Sequence, residues 1–112
     1  MWIMVSGPYT AAGADAARRG ENLRRMNEAA VAVLRKGHVP VIGVNMALPM
    51  IEAAGAHAFD ELMMPVSLAL AERCDAVVRI GGPSHGADRE VETIRARGGR
   101  VFTSIDEIEP AR

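Results

Sequence analysis

The stretch Asp-Ala-Val-Val-Arg-Ile-Gly-Gly-Pro-Ser-His-Gly-Ala-Asp-Arg-Glu, residues 75–90, carries the strongest structural signals of this 112-residue chain. Within it, Ala76–Ile80 is a short, β-branched apolar run, which is typical of a buried parallel strand. The residues Gly81–Pro83 then break the strand, and Ser84 is well suited to cap a following helix. The stretch therefore predicts a strand, a loop of small residues and the start of a helix.

The start of this predicted helix has the features of an anion-binding site. Backbone N–H groups at a helix N-terminus point at a bound anion. Glu90 follows at the edge of the apolar face of the helix, and we expect the positive end of the helix dipole to favour its ionised form. An ionised, positioned carboxylate suits a nucleophile or an electrostatic stabiliser. The alternative is an acid of the first helical turn that faces water and only stabilises the dipole.

Strands and helices alternate along the chain. The predicted strands are Trp2–Ser6, His38–Ile42, Ala76–Ile80 and Arg100–Thr103. The predicted helices cover Asp15–Lys36, Pro65–Arg73, the residues after Ser84 and a last short segment after Ser104, with one or two short helices within Gly43–Met64. This alternation predicts one α/β domain over residues 1–112, with an open parallel sheet of four to five strands and flanking helices, of the flavodoxin/Rossmann-like class.

Local signals indicate where several of these elements begin and end. Gly37 is expected to end the first helix in a left-handed conformation. Pro40 suggests that its strand lies at an edge of the sheet or has an irregular ladder. Pro65 fits the first turn of a helix. Ser104 and Glu107 match a capping box for the last short helix.

Composition and charge limit the partners and cofactors. The net charge of −1 argues against nucleic acid, because the phosphate backbone is bound by basic surfaces. The single cysteine, Cys74, allows no intramolecular disulfide, so we expect a reducing, cytoplasmic location. Polar residues interrupt the longest apolar region, Val41–Phe59, so no membrane span is predicted. We predict no cofactor and no metal, since His57 with Asp60 and Glu61 is a weak ligand set.

The predicted topology brings three loops to one rim of the sheet. In open parallel sheets, ligands bind beyond the carboxyl ends of the strands. The loops at those ends are Gly7–Gly13, Gly43–Asn45 and Gly81–Gly86. Ser67 is expected there too, because its helix runs antiparallel to the strands and begins at this rim. Asp75 begins a strand at the opposite end, so we expect a structural role for it.

Three motifs resemble the nucleoside 2-deoxyribosyltransferase-like superfamily. They are Ser6-Gly7-Pro8-Tyr9 at the end of the first strand, Asp75-Ala76-Val77-Val78, and Ser84-x-Gly86-x-x-x-Glu90. Within that superfamily, the chain is similar to compact bacterial and phage proteins of unassigned function with a Ser-Gly-Pro N-terminus. The spacing from Ser84 to Glu90 is also similar to that of the 2'-deoxynucleoside 5'-phosphate N-hydrolases. The resemblance covers the chain from its first to its fourth strand.

The resemblance implies an N-glycosidase or deoxyribosyltransferase-like enzyme that cleaves the base–sugar bond of a nucleoside 5'-monophosphate. Glu90 falls on the nucleophile of the family, which attacks C1' of the sugar and forms a glycosyl–enzyme intermediate. Ser84 and Gly86 fall on the loop that meets the 5' end of the ligand, where a serine tolerates a phosphate that an acid would repel. The predicted substrate-binding residues, from the rim and the resemblance together, are Ser6, Gly7, Pro8, Tyr9, Asn45, Ser67, Gly82, Ser84, His85 and Gly86.

Ser67 departs from the pattern of that superfamily. Its members usually carry an acid at this position, which helps to protonate the departing base, and serine is no general acid at neutral pH. Asp60 or Glu61, roughly two helical turns upstream, could supply the acid instead. Two alternatives to an enzyme therefore stay open: a nucleotide-binding module without chemistry, and an interaction protein that keeps only the sheet.

The predicted partners are a small-molecule nucleotide or nucleoside and a second copy of the chain. A small domain with Met-rich and Ala-rich helices needs cover for its apolar surface. We therefore expect a homodimer or larger homo-oligomer, formed through Pro65–Arg73 or through Gly43–Met64.

Overall fold

The computed structural model describes residues 1–111, which contain one sheet of four parallel strands in the order β2-β1-β3-β4. The strands are β1 (Trp2–Ser6), β2 (Val39–Val41), β3 (Ala76–Arg79) and β4 (Arg100–Phe102). The helices are α1 (Ala16–Arg35), α2 (Gly43–Ala54), α3 (Phe59–Ala71) and α4 (His85–Ala96), with 3-10 turns at Ala11–Gly13, Ala56–Ala58 and Ile105–Glu107. This confirms the predicted parallel α/β fold of the flavodoxin/Rossmann-like class, with four strands. Residue 112 of the predicted domain lies outside the described part.

The central strands are buried on both faces of the sheet. Ile3 and Val5 of β1 belong to the layer of the core that α1, α2 and the start of α3 cover. Met4 lies between them in sequence and belongs to the opposite layer, with Val91 and Ile94 of α4. Successive side chains of a strand point to opposite faces, so one apolar run serves both layers. Each fully buried aliphatic side chain stabilises the fold by about 1.5–3 kcal/mol.

The edges of the sheet agree with the local signals. β2 is an edge strand, as Pro40 suggested, and its pairing with β1 is limited to Val39–Val41. Gly37 has a φ of 90° after α1, which confirms the left-handed cap. Three strands are shorter than predicted, since β2 covers Val39–Val41, β3 covers Ala76–Arg79 and β4 covers Arg100–Phe102.

The prediction for Pro65 is wrong. Pro65 lies inside α3, which begins at Phe59. The apolar side chains upstream extend the helix, because Met63 packs into the core one turn before Ser67. A proline inside a helix removes one N–H donor, here to the carbonyl of Glu61. Pro65 and Glu61 are both exposed, so water can solvate that carbonyl.

The predicted capping box does not form. Ser104 precedes the last 3-10 turn, but its side chain makes no capping hydrogen bond. The Glu107 carboxylate instead accepts from the backbone N–H of Thr103 at 3.3 Å and from the Thr103 hydroxyl. These bonds lower the pKa of Glu107. The acid therefore reaches one residue further back than the capping-box pattern requires.

Asp75 and Cys74 have structural roles at the opposite end of the sheet from the candidate site. The Asp75 carboxylate accepts from the backbone N–H of Trp2 at 2.7 Å, which supports the start of β1. Cys74 is buried, and that burial, followed by the negative charge of Asp75, raises the pKa of the thiol to about 11. It packs as a small apolar side chain. Within residues 1–111, no helix has the length and apolar character needed to cross a bilayer.

Candidate functional site

The start of α4 forms one wall of the site at the carboxyl end of the sheet. Ser84 is the N-cap of this helix, and its Oγ accepts from the Ala87 N–H at 3.2 Å, as the sequence predicts. The next two residues, His85 and Gly86, occupy the first helical turn, whose N–H groups have no partner within the helix. Both line a cavity of about 150 Å³. This wall can therefore donate hydrogen bonds to an anion.

Glu90 lies at the bottom of this cavity and not on the surface of the helix. It occupies the second turn of α4, and only 8% of the residue is exposed. Burial removes the carboxylate from water and raises its pKa from 4.5 to about 7; hydrogen bonds from the Ser6 and Ser67 hydroxyls and the charge of Arg79 act less strongly in the opposite direction. The sequence predicts that the helix dipole favours the ionised form of Glu90, but desolvation has the larger effect on its pKa and favours the protonated form. The alternative of a solvated first-turn acid is wrong.

Ser6, the last residue of β1, holds Glu90 in place. Its Oγ lies 2.6 Å from Glu90 Oε1 and 3.1 Å from the Ala87 carbonyl oxygen. A hydroxyl donates one proton only. When Glu90 is ionised, Ser6 donates to it; when Glu90 is protonated, Glu90 can donate to Ser6, which then donates to Ala87. Both protonation states keep the bond between Ser6 and Glu90.

Ser67 comes to the cavity from the middle of α3, not from the first turn of a helix as predicted. It is buried and lines the cavity together with Glu90, and its hydroxyl lowers the pKa of that carboxyl. The first residue of α2, Gly43, packs directly against it, and a Cβ added at Gly43 would collide with Ser67 Oγ. The glycine therefore lets α2 and α3 approach closely above Glu90.

The cavity brings together most of the predicted site residues. Those that line it are Gly7, Tyr9, Ser67, Ser84, His85, Gly86 and Glu90, while Ser6 contacts Glu90. Glu90 is the only carboxylate lining it within residues 1–111. Asp60 and Glu61 are exposed and do not line the cavity, contrary to the expectation that one of them could reach it.

Three predicted residues lie elsewhere. Asn45 is exposed, and its side-chain amide donates to Asn27 Oδ1 at 2.7 Å. Its neighbour Val44 lines the cavity in its place. Pro8 and Gly82 line a second, larger cavity of about 460 Å³ on the other side of the loop that follows β1.

The apolar wall of the site comes partly from the rim loops that the sequence predicts, but the sequence analysis does not place Phe59, Met63 and Met64 of α3 at the site. The residues of this wall are Ala11, Val44, Phe59, Met63, Met64 and Ala87, together with polar Thr10. Phe59, Met63 and Ser67 follow each other at intervals of four, the spacing of one helix face. That signal was hidden because the predicted helix started at Pro65.

Arg79 positions the loop next to the site. Its guanidinium donates to the carbonyl oxygens of Ile80 and of Gly82, the latter at 2.8 Å. It also forms an ion pair with Asp88 of α4 at 3.2 Å. Arg79 therefore fixes the Gly-Gly loop against α4, and its donors are directed at protein oxygens. Within residues 1–111, no three His, Cys, Asp or Glu side chains are grouped so that they could hold a metal ion.

The chain matches a protein-family model over most of its length. Residues 1–105 match the family described as "Domain of unknown function (DUF1937)". The match covers all four strands, all four long helices and every residue that lines the cavity around Glu90. No curated protein matches the chain significantly.

Proposed function

We propose that this chain, which belongs to the DUF1937 family, is an N-glycosidase or deoxyribosyltransferase-like enzyme that cleaves the base–sugar bond of a nucleoside 5'-monophosphate. The observation that carries the proposal is the buried carboxylate of Glu90, which lies in a cavity that the first turn of α4 also lines. A carboxylate with a pKa of about 7 is half ionised at neutral pH, and its desolvation makes it a better nucleophile than an exposed one. The resemblance of Ser84-x-Gly86-x-x-x-Glu90 to a deoxyribosyltransferase-like motif agrees with this role.

In the proposed reaction, the ionised Glu90 attacks C1' of the sugar. The bond between C1' and the base nitrogen breaks, and its electron pair leaves with the base. Water or a second base then attacks C1' and releases the Glu90 carboxylate, which completes hydrolysis or transfer. Ser6 and Ser67 orient Glu90, while the N–H groups of His85 and Gly86 hold the phosphate.

Ser84→Asp tests the proposed phosphate position. Aspartate is as good an N-cap as serine, so α4 should keep its start. Its negative charge would repel a phosphate beside His85 and Gly86, and we expect at least about tenfold weaker binding of a nucleoside 5'-monophosphate. Isothermal titration calorimetry measures this directly. Ser84→Asn is the matched control, because it has the same shape without the charge; equal affinities of the two variants would contradict this phosphate position.

A non-catalytic nucleotide-binding module is the second candidate. The observation that favours it is the missing second carboxylate in the cavity of residues 1–111. A positioned general acid typically contributes about a hundredfold to ten-thousandfold in rate, so an enzyme without one is expected to be slow.

Ser67→Asp distinguishes the two candidates. An aspartate at this buried position would lie beside Glu90, and two adjacent carboxyl groups share a proton that one of them can give to the base. For an enzyme we expect release of base to rise about tenfold or more, measured by chromatography with a panel of ribonucleotides and deoxyribonucleotides. Ser67→Asn is the control, and circular dichroism shows whether each variant folds. Binding without any base release by the wild type and by folded Ser67→Asp would favour the module.

The assembly and the location stay predictions. Met46 and Met50, one turn apart on α2, are 52% and 42% exposed, and they lie in the segment from which we expect a homodimer or larger oligomer to form. A cytoplasmic location is still expected from the single cysteine.

A further inference from the structure

The second cavity, of about 460 Å³, lies between α1 and the loop that follows β3. It is larger than the cavity around Glu90, and the two share Ala11 in their linings. Two arginines of α1, Arg18 and Arg25, line it, and no acidic residue within residues 1–111 does. The charge of its lining is therefore positive, unlike that of the cavity around Glu90.

The α1 wall presents a row of polar side chains. Arg18, Asn22 and Arg25 follow each other at intervals of four and three residues, so they lie on one helix face over two turns, about 10 Å. The Asn22 amide donates to the Tyr9 carbonyl at 3.0 Å, which fixes this side chain beside the loop after β1. The side-chain oxygen of Asn22, Oδ1, accepts no hydrogen bond from residues 1–111.

The two guanidinium groups are available to a ligand. Arg18 has no acidic side chain within ion-pair distance among residues 1–111. Arg25 pairs with Glu21 at 2.9 Å, one turn back on the same helix. Both partners of that pair are more than half exposed, and exposed pairs of this kind contribute only about 0.3–0.5 kcal/mol, so a bound anion can replace Glu21.

The opposite wall is a backbone that can donate hydrogen bonds. The Arg79 guanidinium donates to the carbonyl oxygens of Ile80 and Gly82. The N–H groups of Gly81 and Gly82 have no partner among residues 1–111. Gly81 has a φ of 75°, and a Cβ there would lie 2.7 Å from Pro8 Cδ, so the two loops pack as closely as a glycine allows. Gly82 has open space where a Cβ would be.

Apolar side chains complete the cavity. Met26 and Ile80 line it together with Pro8 and Pro83. Guanidinium groups bind phosphate through charge-assisted hydrogen bonds, and an apolar surface next to them favours a ligand with an apolar body. We propose that this cavity, lined by Arg18, Asn22, Arg25 and the Gly81-Gly82 loop, binds an organic phosphate at a site separate from Glu90. The proposal does not depend on the proposed activity of Glu90.

The experiment uses phenyl phosphate and inorganic phosphate as probes, at low salt, with backbone and side-chain amide NMR spectra of the full chain. We expect phenyl phosphate to shift the resonances of Gly81, Gly82 and the Asn22 side chain. Phenyl phosphate should bind more tightly than inorganic phosphate, because only the former covers the apolar wall. Shifts confined to His85, Gly86 and their neighbours, or equal affinities for the two probes, would overturn the proposal.

Matched arginine variants locate the charge that binds. Arg18→Gln should weaken phenyl phosphate binding about tenfold, the usual effect of losing one charged hydrogen-bond partner. Arg24→Gln removes another exposed arginine of α1, which does not line the cavity, and should leave the affinity unchanged. Gly82→Val, which has space for its side chain, should narrow the cavity and weaken binding of phenyl phosphate. Equal affinities of Arg18→Gln and Arg24→Gln would overturn the site. Loss of phenyl phosphate binding in Ser84→Asp would do so too, since it would place the ligand in the cavity around Glu90.

Discussion

Glu90→Gln should lower the release of base from nucleoside 5'-monophosphates by at least about a thousandfold, because the carboxamide cannot attack C1'. The substitution keeps the size of the side chain, and a carboxamide can still donate to Ser6 Oγ, so the architecture of the cavity should persist. Release of base, measured by chromatography with purified protein, gives the ratio. The wild-type kcat/KM should rise with pH through about 7, as Glu90 loses its proton and becomes a nucleophile.

Glu92→Gln is the matched control for this loss of activity. Glu92 lies on the same helix, is exposed and, among residues 1–111, pairs only with Arg95 at 3.0 Å, so its replacement should leave the rate unchanged. An active wild type together with an equally active Glu90→Gln variant would contradict the role of Glu90 as nucleophile. Matching circular dichroism spectra of Glu90→Gln and the wild type would show that the variant is folded.

The same substitution should make the protein more stable at alkaline pH. In the unfolded chain Glu90 loses its proton near pH 4.5, whereas in the native state it keeps it up to about pH 7. Between these values the native state binds more protons than the unfolded state, so the free energy of unfolding of the wild type falls as the pH rises. The loss is complete above about pH 8 and amounts to about 3 kcal/mol, at about 1.4 kcal/mol for each tenfold change in proton affinity.

Glutamine does not ionise and escapes this loss. Urea unfolding followed by circular dichroism should therefore give Glu90→Gln a free energy of unfolding about 3 kcal/mol above that of the wild type at pH 8.5, and a similar value at pH 4. Glu92→Gln should match the wild type within about 0.5 kcal/mol at both values, because exposed pairs contribute little. A constant difference between Glu90→Gln and the wild type at all pH values would show that Glu90 does not titrate with the raised pKa.

The two effects of Glu90→Gln have opposite signs for a physical reason. An ionised carboxylate in this cavity is costly to the native state, because the two serine hydroxyls do not replace the water it has lost. The proposed reaction needs that same desolvated charge. We therefore expect a gain in stability together with a loss of activity, because the charge that destabilises the native state is the one that the reaction needs.

Local patterns in the sequence predicted the parallel α/β fold and identified Glu90 as a candidate site residue. The apolar run Ala76–Ile80, the break at Gly81–Pro83 and the cap at Ser84 each act over a few residues, and the structure confirms the strand, the loop and the capped helix. Gly37 and Pro40 are of the same kind, since a left-handed cap and an edge strand follow from the φ that glycine allows and the N–H that proline lacks.

The raised pKa of Glu90 and the lining of the site depend on tertiary packing. Ser6 meets Glu90 across 84 positions of sequence, and Gly43 brings α2 against Ser67, so the burial that raises the pKa arises from segments far apart in the chain. The start of α3 at Phe59, upstream of Pro65, likewise depends on packing against the core. Helix propensity and the helix dipole act within a turn or two, whereas desolvation depends on every element that covers a group. For that reason the sequence identified Glu90 as a candidate site residue, whereas the packing of β1, α2, α3 and α4 around it raised its pKa.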